Sequence, residues 1–324
     1  MNSNRLQIKN EKMNIQFQKK SYFFLIACSL CLAACTGRSS HTRKDEKRKP
    51  VITVTIEPQR YFAEAIAGDK FKVVSMVPQG SSPETYDPIP QQLVSLGESK
   101  AYLRIGYIGF EQTWMSRLID NTPHILVFDT SKGINLIEAD GKDFHAGEVC
   151  SGHGNHSHAV EPHVWNSAAN ALILAENTCK ALCALDEAND VYYKTRYDSL
   201  RRRIQHIDSL IRRRIAAPGA MRTFMIYHPA LSYFARDYGL QQMAIEENGK
   251  EPSPAYLRRL IDEARAKKVN VIFIQPEFDK RNAETIAAQT GAKIIPINPL
   301  NYHWEEEMLR IAQALSPAAD TTKP

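Results

Sequence analysis

What the sequence lacks narrows its chemistry first. It has no helical His-Glu-x-x-His segment and no serine nucleophile elbow, so two common hydrolytic signatures are missing. Its basic excess is local. Residues 1–50 hold 11 of the 41 Lys and Arg but 3 of the 36 Asp and Glu, so the net charge of +5 turns to about −3 beyond them, with 30 basic against 33 acidic residues. No nucleic-acid footprint remains in that body. Cysteine is scarce and odd in number beyond residue 50: Cys150, Cys179 and Cys183. Cys179 and Cys183 lie four apart on one expected helix face, poorly placed for a disulfide, and read as buried thiols. The apolar run Tyr22–Ala34 has 13 residues, too few to cross a bilayer.

That run suits another use. Lys19 and Lys20 precede it, as in the core of an export signal. It closes on Leu32-Ala33-Ala34-Cys35, which resembles the lipobox of bacterial lipoproteins. The resemblance implies that Cys35 becomes the first mature residue and carries a lipid, on the periplasmic or cell-surface side of a bacterial membrane. Residues 1–34 are then a signal peptide. Residues 35–50, rich in Ser, Thr, Lys and Arg without apolar pattern, are a flexible tether.

From Val51 onward short β-branched runs alternate with helical ones. Strands are expected at Val51–Ile56, Phe71–Val77, Ala101–Ile105 and His124–Val127, then at Thr223–Tyr227, Gln241–Ile245, Asn270–Ile274 and Lys293–Ile297. Such alternation implies an α/β fold: two lobes, each with a parallel four-stranded sheet flanked by helices. Between the halves, Tyr193, Tyr197, Leu200, Ile204, Ile207, Ile211 and Ile215 recur at helical steps until Pro218-Gly219. This predicts one long rigid helix, roughly 40 Å, joining the lobes. The expected organisation is a lobe over 51–185, a linking helix over 186–217 and a second lobe over 218–317.

Three loop segments carry the chemistry: Pro83-Glu84-Thr85-Tyr86-Asp87-Pro88, Glu161-Pro162-His163-Val164-Trp165 and Tyr227-His228-Pro229-Ala230. Ligands bind beyond the carboxyl ends of parallel strands, where the first and third fall. Flanking prolines pre-order Glu84, His163 and His228. A tract with His145, His153, His156 and His158 adds a compositional pointer to metal, since five of the ten histidines fall between His145 and His163. Glu277, in Gln275-Pro276-Glu277-Phe278, is read as a solvated loop acid or helix cap ahead of a cleft residue. Tyr86 and Trp165 are read as cleft walls, and Asp87 as a stabiliser of its loop.

These segments, with EPSPAYLRRL (251–260) and GAKIIPINPLNY (291–302), resemble the substrate-binding proteins of zinc and manganese ABC importers, the helix-backbone metal-receptor family. The resemblance spans nearly all of Val51 to Leu315. It implies metal held in the cleft, delivery to an ABC-type permease and its ATPase, a monomer, and no catalysis. His163 and His228 match two metal-binding histidines. A histidine at the position of His228 resembles the zinc branch, where manganese receptors commonly have Glu. Glu84 stands where the family usually has His, and Asn298 where it commonly has Asp. The implied metal set is therefore Glu84, His163, His228 and Asn298, with water, His303 or a tract histidine as substitutes for the weak amide oxygen. The four tract histidines are expected to gather metal in a secondary loop.

Two imidazoles and a carboxylate suit Zn2+ first, with Mn2+ or Fe2+ as alternatives, rather than Mg2+ or Ca2+. The same trio describes a zinc or iron enzyme centre, and a haem or chelated-metal receptor is a further rival. Candidate ligands drawn from both halves favour capture and release over rigid catalysis.

Overall fold

The computed structural model describes residues 49–138, 160–247 and 249–316. Cys35, the leader, the tether and His145, His153, His156 and His158 lie outside the described residues. Among the described residues no helix is long and apolar enough to cross a membrane.

All eight expected strands are present. The first half holds β1 (Val51–Val54), α1 (Glu57–Ala67), β2 (Lys72–Ser75), α2 (Pro90–Gly97), β3 (Ser99–Arg104), α3 (Gly109–Asn121) and β4 (Leu126–Asp129). The cysteine-bearing helix is α4 (Ala168–Leu185), and α5 (Asp190–Ala216) is the long connector. The second half holds β5 (Thr223–Ile226), α6 (Ser232–Tyr238), β6 (Gln241–Ala244), α7 (Pro254–Ala266), β7 (Val271–Ile274), α8 (Arg281–Thr290), β8 (Lys293–Pro296) and α9 (Trp304–Leu315). Each sheet is four-stranded and parallel, in the orders β2-β1-β3-β4 and β6-β5-β7-β8. Six of the expected strands overran by one to three residues, while β3 begins two residues earlier than expected and β4 lies two residues further on.

Side-chain alternation explains why β5 and β7 read as unbroken apolar runs. Phe224, Ile226, Val271 and Phe273 face one core, while Met225 and Ile272 face a second, smaller one on the other side of the sheet. The larger core does not stop at the lobe boundary. It runs from Ile52 and Phe62 through Leu200, Ile204 and Ile211 of α5 to Met308 and Ile311 of α9. Tyr193, Leu200, Ile204, Ile207, Ile211 and Ile215 form the buried stripe of α5, Tyr197 is half-buried, and Arg212, Arg213 and Arg214 are exposed. Cys179 is buried and Cys183 half-buried, both as free thiols. Burial, with the Asp190 carboxylate beside it, pushes the Cys183 thiol up to about 12.

The lobes are tied by directed bonds as well. The Trp165 indole donates to the Pro299 carbonyl (2.8 Å), and the Trp304 indole donates to the Trp165 carbonyl (2.8 Å). Asn166 donates to the Ala230 carbonyl (2.9 Å). Glu305 of α9 accepts from Arg203 of α5 (3.0 Å) and from Tyr61 of α1. Helix α9, expected to belong to the second lobe, thus packs on α5 and sets Trp304 against Phe62 of the first lobe at 5.3 Å.

Trp304→Phe removes one interlobe donor and leaves the buried Trp165 carbonyl unpaired, a loss of about 1–3 kcal/mol. Thermal and urea unfolding should show a melting temperature lower by several degrees. An unchanged curve would mean that this bond does not tie the lobes.

Candidate metal-binding cleft

The site forms where loops from both sheets leave their carboxyl ends, as parallel topology directs. His228 follows β5, Glu246 follows β6, Glu277 follows β7 and Leu300 follows β8; Glu84 follows β2. Glu84, His163, Trp165, His228, Glu277 and Phe278 line one pocket of about 30 Å³. That space suits one ion or a water.

Each imidazole is aimed by a carboxylate behind it. His163 Nδ1 lies against Glu161 Oε1, which also accepts the His163 backbone N–H at 3.0 Å. Glu161 is fully buried and takes a further bond from the Ser232 hydroxyl at 3.2 Å, so the second lobe helps to hold His163 of the first. His228 Nδ1 lies 2.9 Å from buried Glu246 Oε1. Gln275 clamps the His228 backbone, accepting from its N–H at 3.3 Å and donating to its carbonyl at 2.7 Å, while the ring stacks on Phe278 at 5.3 Å. A carboxylate that accepts the Nδ1 proton fixes the tautomer and leaves Nε2 as a lone pair.

The two Nε2 atoms then face each other at 3.2 Å. Two lone pairs at that distance repel unless a proton or a cation lies between them. Two nitrogens bound to one tetrahedral zinc, at about 2.0–2.1 Å each, stand about 3.3–3.4 Å apart. The observed spacing is that of two ligands of one ion. Burial opposes charge on His163, yet Glu161, with Glu84 and Glu246 beyond it, raises the imidazole above its ordinary value.

Glu84 sits at the N-terminus of α3. Its Oε2 accepts the Gly109 N–H at 3.1 Å, a favourable place for a carboxylate, while the Pro83 carbonyl accepts from Phe110 at 2.8 Å. Its Oε1 is buried with no hydrogen-bond partner. The approach is close: a Cβ on Gly109 would lie 2.5 Å from Glu84 Oε2. Among the described residues, no group of three or more His, Cys, Asp and Glu side chains is gathered closely enough to hold a metal ion. The two imidazoles are paired, and Glu84 and Glu277 lie in the pocket wall.

Not every expected residue lines the pocket. Asn298 is absent from the lining; its Oδ1 accepts the Leu300 N–H at 3.0 Å and its own N–H donates to buried Glu307 at 2.8 Å. His303 is exposed near Glu306. Tyr86 is no cleft wall; it packs on Phe110 and its hydroxyl donates to Gln92 at 2.7 Å. Asp87 does stabilise its loop, accepting from the Trp114 indole at 3.1 Å. Glu277 is the reverse case: it lines the pocket, and its Oε2 is buried without a partner. Burial raises its carboxyl above the ordinary range, against the pull of His228 and His163. Sequence reasoning passed over Glu161 and Glu246, although Glu161 stands two residues before His163.

Two α/β lobes on a rigid helix, with paired imidazoles in the cleft between them, define a metal receptor of the cleft-binding class. Residues 52–315 match the model of the family described as zinc-uptake complex component A, periplasmic, and the chain belongs to that family. It is similar to the high-affinity zinc uptake system protein ZnuA of Bacillus subtilis (strain 168), 29% identical over 90% of this chain and 92% of that one. It is also similar to the manganese ABC transporter substrate-binding lipoprotein PsaA of Streptococcus mitis, 26% identical over 84% and 86%. A crystal structure of ZnuA superposes with a TM-score of 0.74 at 32% identity, covering 83% of this chain and 99% of that one. A deletion mutant of ZnuA with zinc bound gives 0.73 at 33%, covering 84% and 100%. The family consists of solute-binding receptors of ABC importers, working with a permease and its ATPase, which sets aside the enzymatic reading of the trio.

Gly109→Ala inserts a methyl where Glu84 must lie, costing about 1–3 kcal/mol. Calorimetric titration with zinc should show affinity about tenfold weaker, with the melting temperature of the metal-free protein lower by a few degrees. Wild-type affinity in this variant would mean that Glu84 is not needed where the structure holds it.

Proposed function

We propose that this chain captures a zinc ion between its lobes and hands it to an ABC-type permease. His163 and His228 bind through Nε2, and Glu84 through its free Oε1. The observation that carries the reading is the 3.2 Å separation of the two Nε2 atoms, each backed by a buried carboxylate. Oriented imidazoles lose little freedom on binding, and the carboxylates behind them increase ligand basicity. Glu84 then has only a short distance to close over the ion.

In this reading residues 51–185 and 218–317 are the two jaws and 186–217 the spacer that fixes their separation. The continuous core across the jaws supports local loop closure rather than wide lobe opening. The lipid on Cys35 and the tether over 35–50 keep a monomer near the membrane face where the permease opens. His145, His153, His156 and His158 raise the local zinc concentration without being part of the tight site.

Elemental analysis of purified wild type against His228→Ala tests this directly. Wild type should carry close to one zinc per chain and the variant almost none. Chelator-stripped wild type should recover a single tight site in calorimetry, in competition with manganese. A stripped protein that takes up no transition metal would sink the reading. Deleting 145–158 should remove weak sites and leave the tight one, and loss of the tight site would overturn that division of labour.

A further inference from the structure

Three protein ligands leave one corner of a tetrahedral zinc open, and the segment after β7 stands beside it. Two side chains of that segment already serve His228: Gln275 brackets its backbone and Phe278 stacks on its ring. Glu277 lies between them, in the wall of the same pocket as Glu84, His163 and His228. Among the described residues, four buried side-chain polar atoms have no hydrogen-bond partner. Two of these, Glu84 Oε1 and Glu277 Oε2, are carboxylate oxygens lining this one pocket. No Lys or Arg ion-pairs with Glu277 among the described residues.

A carboxylate oxygen removed from water and left unpaired is costly, and a water or an ion in the pocket relieves that cost. A divalent cation at the paired imidazoles completes both oxygens at once, and two carboxylates neutralise its charge. The other acids near the site are not free to do so, since Glu161 and Glu246 are engaged by the Nδ1 atoms. Asn298 does not line this pocket, and its Oδ1 already accepts the Leu300 N–H.

We infer that Glu277 is the fourth protein ligand of the captured ion, so that the tight site is built from two imidazoles and two carboxylates. The inference rests on the reading of the cleft as a metal site. Such a donor set suits tetrahedral zinc and is richer in oxygen than three histidines, which widens its acceptance toward manganese.

Glu277→Gln keeps the shape of the side chain and removes its charge. The mature protein is stripped, then titrated with Zn2+ by calorimetry and, separately, loaded with Co2+ as a spectroscopic probe of the donor set. Outer-shell partners of metal ligands cost about 10–100-fold in affinity when lost, and a direct ligand costs no less. The expected result is zinc affinity reduced at least about tenfold, together with a visible Co2+ spectrum altered in position and intensity. Asn298→Ala should change neither. Wild-type affinity in Glu277→Gln, or reduced affinity with an unaltered Co2+ spectrum, overturns the inference. The second result would make Glu277 a structural anchor of its turn. If Glu277→Gln fails to fold, Glu277→Asp is read in the same two assays, and an unaltered spectrum there counts against it. Absence of metal binding in wild type fails the underlying reading instead.

Discussion

The constraint on which this structure turns is the meeting of two imidazole nitrogens that have no reason to meet by themselves. Nε2 of His163 and Nε2 of His228 come from different lobes and stop 3.2 Å apart. Packing does not favour that contact, since buried lone pairs repel. It is imposed from behind by Glu161 and Glu246, which hold the Nδ1 sides, and by the backbone clamp of Gln275. The contact is favourable only with a proton or a cation between the two nitrogens.

Holding such a contact requires that the two lobes keep their spacing to a few tenths of an ångström. The large core provides it, because α5 and α9 contribute to both sides and the apolar stripe of α5 has no break between Leu200 and Ile215. The reciprocal indole bonds of Trp165 and Trp304 act close to the site, one of them through Pro299 in its wall. Ser232 reaching Glu161 carries the same coupling into the ligand set. Glu84 and Glu277, both half-buried in the pocket wall, each keep one buried oxygen without a hydrogen-bond partner.

Electrostatics sort the acids of the cleft into two roles. Glu161 and Glu246 are each bonded to an Nδ1 and serve orientation. Glu84 and Glu277 retain an unpartnered oxygen and serve charge. Gly109 illustrates how closely the backbone must yield for this: no side chain larger than hydrogen fits beside Glu84 where it takes the helix N-terminal amide.

The sequence by itself determined the fold class, the eight strands, the long linker and the placement of His163 and His228 at loop positions. Each of these depends on local periodicity or on proline-flanked motifs, and local patterns survive in one dimension. Tertiary structure decided the rest. Asn298 stands outside the pocket lining, its oxygen accepting a backbone amide two residues on, a placement that no motif reveals. Glu277 changed from a solvated acid to a pocket wall because β7 lies next to β5, a neighbour remote in sequence. Glu246 became the partner of His228 for the same reason, arriving from β6 on the other side of β5. Which atoms face one ion is set by strand order and lobe spacing, and those arise only when distant segments share one core.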